Sequence, residues 1–212
     1  MFGTRPLLWL LLLASLIGGV HWYRYERAVQ HDAGALAMPE PVLATGSTLP
    51  PWTDGTGFRY RPLGRLTGRV VVVSRTNYSL GEFAHLAPTD LAIAWGSLSD
   101  PAAYSQLTFE QRGSPLSGRY VFPDIKRGTT LARMPHRDVE AWLLANLTHV
   151  HAIPSDRHIA SRLSGIRPGQ VVELSGLLVE VTAPSGARYT SSLALHDYDC
   201  EIAWIDGLDL VN

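Results

Sequence analysis

The chain has 212 residues, is 46% apolar and carries a formal net charge of −1. That length allows one domain with an extension, and the near-zero charge offers no sequence-wide attraction for nucleic acid or anionic lipid. Of 18 basic residues only Lys126 is a lysine, and the arginines are scattered, which argues against a polyanion-binding surface. The single cysteine, Cys200, excludes an intrachain disulfide and reads as a buried strand residue beside Ile202 and Trp204.

Residues 1–5 form a short tail carrying Arg5, and Pro6 to Val20 is then uncharged and almost wholly apolar. A spanning helix needs about 20 mainly apolar residues, with about 17 as a lower limit. The pattern therefore predicts a transmembrane signal anchor over 6–23. Trp22, Tyr23 and Tyr25 would sit at the headgroups, with Arg24 and Arg27 on the water side. A cleaved signal peptide is the rival, but no A-x-A-like site follows the apolar core closely. Arg5 on one side and Arg24 and Arg27 on the other leave the positive-inside rule undecided. A short tail before a translocated domain is the usual signal-anchor arrangement, so the tail is assigned to the cytoplasm.

Residues 24–62 contain Pro39, Pro41, Pro50, Pro51 and Pro62 among several glycines, and no apolar period persists. They read as a tether, with Trp52, Phe58 and Tyr60 packing on the domain. The globular domain, 63–212, opens with the β-branched run Leu66–Ser74, whose continuous valines predict a strand buried on both faces. In Pro88–Gly96, Leu91, Ile93 and Trp95 share one face, and Ala92 and Ala94 the other, where another segment could approach closely. Asp100 and Pro101 predict a short helix. Leu107–Gln111 and Arg119–Phe122 predict a hairpin. Val139, Trp142, Leu143 and Leu147 fit a helix starting near Pro135. Ser155 is read as the cap of another, which ends at Gly165.

Ile166 to Ile205 reads as three strands with tight connections. Val172 and Leu174 have one parity and Leu177, Val179 and Val181 the other, which predicts a β-bulge at Gly176. Pro184–Gly186 closes a hairpin, and Asp206–Gly207 is read as a turn after the last long strand. The fold class expected is α+β, mostly β: an N-terminal transmembrane helix, then a small curved antiparallel sheet or barrel. Its outline is OB-like, with two or three short helices.

Four islands resemble a family of uncharacterised bacterial proteins with one N-terminal hydrophobic segment. They are Pro88–Gly96 with Ser99–Asp100, His149–Asp156, Gly169–Val179, and Ser191–Leu193 with Cys200–Glu201. His151 matches the family pattern and His149 does not, and the segment before Cys200 is shortened here to His196–Asp199. The resemblance implies an anchored, β-rich domain and brings no activity with it.

Three polar groups could carry chemistry. On a strand, His149 and His151 point to one face and could bind zinc with His158, with Asp156 or His196 completing the shell. The second candidate site is His196, Asp199, Cys200 and Glu201, where a thiol activated by His196 needs an orienting carboxylate such as Asp197 or Asp199. Glu201 beside an apolar strand must pair with an arginine such as Arg167 or Arg188, or have a perturbed pKa. The third is Asp90, Asp100, Asp156, Asp197, Asp199 and Glu201 as paired carboxylates for acid–base or calcium work, against which Asp100 and Asp156 suit helix starts, Asp197 and Asp199 suit a turn, and structural pairing is favoured. No nucleophile elbow, phosphate loop, dinucleotide motif or HExxH is present. The reading is thus a single-pass inner-membrane protein with a periplasmic, non-enzymatic domain that binds an envelope protein partner and no nucleic acid. No cofactor is assigned. The alternative is a zinc-binding or metal-dependent hydrolytic domain using His149, His151 and His158. Convergence of His196 and Glu201 on the segment from His149 to His158 is the expected location of any site.

Overall fold

A computed structural model describes residues 5–21, 23, 27–113, 119–197 and 199–211. Helix α1, Arg5–His21, has 17 residues. It precedes ten strands: β1 (Val42–Thr45), β2 (Trp52–Thr53), β3 (Arg59–Asn77), β4 (Thr89–Ala94), β5 (Leu107–Gly113), β6 (Arg119–Ile125), β7 (Leu147–Pro154), β8 (Gln170–Thr182), β9 (Arg188–Thr190) and β10 (Glu201–Val211). Short helices α2 (Glu82–Leu86), α3 (Pro101–Tyr104), α4 (His136–Leu144) and α5 (Arg157–Gly165) lie between strands.

Five strands close on themselves. β3 pairs with β4, β4 with β7, β7 with β10, β10 with β8, and β8 returns to β3. The β7–β10 pair is parallel and the others antiparallel, so the barrel is mostly antiparallel with one parallel seam. The closed order, with α5 between the third and fourth barrel strands, fits the OB-like outline. The barrel interior is filled from alternate positions: Val70 and Val72, Leu91 and Ile93, Val150, Val172 and Leu178, plugged at one end by Ile159 and Leu163 of α5. Each such side chain taken from water contributes about 1.5–3 kcal/mol. The valine run is buried on both faces, since Val71 and Val73 face a second cluster beneath the β5–β6 hairpin and α4.

Several local expectations hold. Asp100 accepts from Ala102 N–H at 2.7 Å with Pro101 starting α3, and Gly186 turns between β8 and β9 at φ 90°. Others change. The cap of α5 is Asp156, which accepts from Ile159 N–H at 2.9 Å, not Ser155. β8 keeps one parity through Gly176: Leu177, Val179 and Val181 form a second apolar face covered by Phe58, Tyr60 and Leu86. The irregularity lies across from it, between Ile205 and Gly207, within a strand that runs on to Val211. Asp206–Gly207 is therefore not a turn. α2 was not anticipated, being only five residues long.

Residues 27–53 do not stand free as a tether. Val29 N–H donates to Pro168 O at 2.7 Å, His31 bonds Gly169 O, and β1 pairs along β3. Glycines admit this strap. A Cβ on Gly64 would lie 2.5 Å from Ala44 O, one on Gly68 2.9 Å from Pro41 Cα, and one on Gly169 2.3 Å from Val29 O. On α1, the large apolar side chains from Leu8 to Val20 are all exposed, Trp9 at 72%. No helix among the described residues is long and apolar enough to cross a membrane. The span expected over 6–23 exceeds the helix found, whose 17 residues rise about 26 Å against a hydrocarbon core of about 30 Å.

Two predictions test the strap and the turn that follows it. Gly169 sits at φ 83°, so Gly169→Val introduces backbone strain of about 1–3 kcal/mol besides the clash with Val29. Urea denaturation should show that loss, and limited trypsin digestion should expose Arg27; unchanged stability and protection would refute the docking. Asp54 accepts from Thr56, Phe58 N–H and Tyr60 Oη. Burial opposes its ionisation, but these bonds outweigh it and lower its pKa below the usual 3.8. That contribution is complete above 3.8 and lost as pH falls through the lower folded value. The stability gap between wild type and Asp54→Asn should therefore shrink on acidification; a gap independent of pH would refute the assignment.

Candidate functional site

The site forms on the outer face of β4 and β7, at the seam with β10. Strand alternation puts His149 and His151 on that face, while Val150 and Ala152 fill the barrel. In the antiparallel register Asp90 lies opposite His151 and Ala92 opposite His149, and the small Ala92 leaves room over the imidazole. The parallel seam sets Glu201 beside Val150 and Ile202 beside His151, which delivers Cys200 to the same place. A latch holds that turn: Ser192 N–H donates to Cys200 O at 3.1 Å, and Ile202 N–H to Ser191 Oγ at 2.9 Å.

His149 Nδ1 stands 3.2 Å from Cys200 Sγ, and the rings of His149 and His151 are 4.6 Å apart. Behind them Asp90 is fully buried. Its Oδ1 meets His151 Nδ1 at 2.9 Å and accepts from Arg119 Nη2 at 2.7 Å. Its Oδ2 is 3.6 Å from His149 Nε2, an ion-pair distance, and neither atom has a hydrogen-bond partner. Arg119, 1% exposed, also donates to Ala87 O and lies over the Tyr78 ring at 3.9 Å. Burial alone would raise the Asp90 pKa, but the facing His149 and His151 outweigh it and hold the carboxyl at about 2. Burial lowers the His151 pKa against the pull of Asp90. The Cys200 thiol is pushed up to about 12, first by burial and then by the negative charge of Glu201 and Asp90. A thiol in that state is not a poised nucleophile.

The donor atoms of His149, His151 and Cys200 lie within 4.8 Å of one another, and among the described residues these are the ones that could hold a metal. Three sequence candidates go elsewhere. His158 is exposed at the start of α5. Asp156 is occupied as that helix's cap. His196 bonds Leu144 O at 3.1 Å and Glu40 at 3.0 Å, so it fastens the strap rather than activating Cys200. The predicted Cys200–His196 pair is thus replaced by Cys200–His149. Asp197 accepts from Ser192 Oγ and Asp199 N–H, which shapes the loop above Cys200.

Glu201 turns inward, to the barrel side of the same strands, and no arginine among the described residues meets it. Thr148 Oγ1 donates to its Oε2 while Oε1 has no partner. Burial raises its pKa to about 8, against the hydrogen bond from Thr148. The perturbed-pKa branch of the expectation holds, and neither Arg167 nor Arg188 is used. Arg119 escaped sequence reading altogether, because nothing local marks an arginine at the start of a hairpin strand as buried.

Two clefts flank the cluster. One, of about 520 Å³, has walls that include Val121, Phe122, Val139 and Leu143, with His149, Cys200, Asp197 and Asp199 also lining it. The other, of about 770 Å³, reaches His151 and Cys200 between Phe83, Tyr189 and Arg119. Tyr120 of the β5–β6 hairpin lines both. No family model, curated protein or solved structure matches this chain.

Removing Arg119 leaves the buried Asp90 carboxylate with only the two imidazoles to offset its charge. Arg119→Ala should therefore cost about 3–5 kcal/mol in chemical denaturation. Asp90→Asn combined with Arg119→Met should cost less than the two single changes added; strict additivity would show that the pair is not coupled.

Proposed function

We propose that this chain is a membrane-held binding protein whose cleft over β4 and β7 takes an apolar, basic-flanked segment of an envelope protein partner. The observation carrying this is the cleft of about 520 Å³, with aliphatic and aromatic walls and three carboxylates, Glu140, Asp197 and Asp199, in its lining. Apolar walls reward burial of side chains, and the few polar groups fix orientation. The acidic lining favours a lysine or arginine beside the apolar residues and disfavours phosphate. In OB-type barrels this same outer face receives ligands, an analogy of fold alone. Tyr120 and Phe122, 42% and 43% exposed, form an aromatic edge of the kind enriched at interfaces.

Membrane attachment rests on α1. It is apolar all round rather than amphipathic, so it suits immersion in hydrocarbon better than lying in the interface. Its length falls about 4 Å short of a typical core, a mismatch that local thinning of the bilayer accommodates. Orientation with the barrel in the periplasm follows the signal-anchor reading. Binding is favoured over turnover because the thiol is held protonated and Asp90 is sealed from substrate.

Full-length protein in phosphatidylethanolamine–phosphatidylglycerol vesicles should resist extraction by alkaline carbonate, and Leu12→Arg should weaken that retention. Gently solubilised membranes should yield a specific partner that Phe122→Asp loses while staying folded and membrane-bound. Carbonate release of the wild type would refute the anchor, and a repeatedly empty capture would refute the partner.

A further inference from the structure

We infer that His149, His151 and Cys200 form a site for a borderline-soft d-block cation, of the zinc or copper class, at the floor shared by the two clefts. Two imidazoles and one thiolate, formed as the metal displaces the Cys200 proton to solvent, select such ions over calcium or magnesium, which take oxygen donors. Zinc bond lengths place nitrogen and sulfur donors about 3.5 Å apart in a tetrahedral shell, and His149 Nδ1 and Cys200 Sγ already stand 3.2 Å apart. His151 engages Asp90 through Nδ1, which leaves Nε2 as its ligand atom.

The independent observation is behind the ligands. Asp90 Oδ2 and His149 Nε2 are both buried, both without hydrogen-bond partners, and 3.6 Å apart. Metal ligation through His149 Nδ1 fixes the proton on Nε2, where it can be donated to Asp90. A carboxylate orienting two ligating histidines is the usual outer-shell device of such centres. Arg119 keeps that carboxylate in place at 2.7 Å. Three protein ligands leave a fourth position, and the clefts lead solvent to it. His158, expected as the third ligand from sequence, is replaced by Cys200.

The site does not depend on partner binding and is tested separately. Tag-free full-length protein, stripped with chelator, is titrated with Zn²⁺ by calorimetry and with Co²⁺ and Cu²⁺ by absorption. One equivalent of Zn²⁺ should bind, and Co²⁺ or Cu²⁺ should give thiolate-to-metal charge-transfer absorption. Cys200 is the only cysteine, so this band reports it without any variant. Cys200→Ser should abolish the band, His151→Ala should lower affinity at least tenfold, and Asp90→Asn should lower it about 10–100-fold. His158→Ala and Phe122→Asp should leave binding unchanged, with circular dichroism confirming the fold of each variant. No stoichiometric binding by the wild type, binding without the thiolate band, or loss in His158→Ala would each overturn the inference.

Discussion

The pairing of β3 with β8 is the constraint on which the rest depends. β3 runs from Arg59 to Asn77 and is hydrogen-bonded to β4 on one side and β8 on the other, which closes the sheet. Without it, the five strands would leave two open edges, an exposed template for pairing with other chains. With it, β10 is forced in beside β7, running the same way, and a turn more than forty residues later in sequence arrives next to His149. Closure also divides the polar residues between two environments. Glu201 goes into the interior with Thr148, while Cys200, one residue earlier, joins the outer face. Alternation along a strand makes that separation unavoidable.

Asp90 is the electrostatic centre of the outer face. A lone carboxylate at this depth would be strongly unfavourable, and it exists because Arg119, His149 and His151 surround it. The hairpin that carries Arg119 is thereby held over the sheet, and Tyr120, next in sequence, is set between the two clefts. The ion pair is weak evidence for net stability, since desolvation offsets much of its attraction. Its clearer effect is positional: it fixes the tautomer of His151 and the lie of the β5–β6 hairpin together.

Sequence patterning carried much of the barrel. Valine runs, the Leu91–Trp95 alternation, the Asp100–Pro101 start of α3 and the shared face of His149 and His151 are all set by local periodicity or capping, and all are found. What failed was non-local. The second apolar face of β8 looks like a bulge in sequence because its cover, Phe58 and Tyr60, lies more than a hundred residues away. Cys200 was placed with His196, its neighbour in sequence, when topology gives it His149. The strap looked like free linker because its docking is encoded in glycines of the surface it meets, Gly64, Gly68 and Gly169, rather than in its own residues.

That strap sets a stand-off height. α1 ends at His21, and Val29 is already hydrogen-bonded to Pro168; eight residues of fully extended chain reach about 29 Å at most. On the membrane reading, the barrel cannot sample the depth of the compartment as a bead on a long string would. On that same reading it would stay within this reach of the end of α1. A partner whose binding segment sat far from the bilayer would then be out of range, however well it fitted the cleft. Proximity would thus act as a selectivity filter in its own right, imposed before any side chain is read.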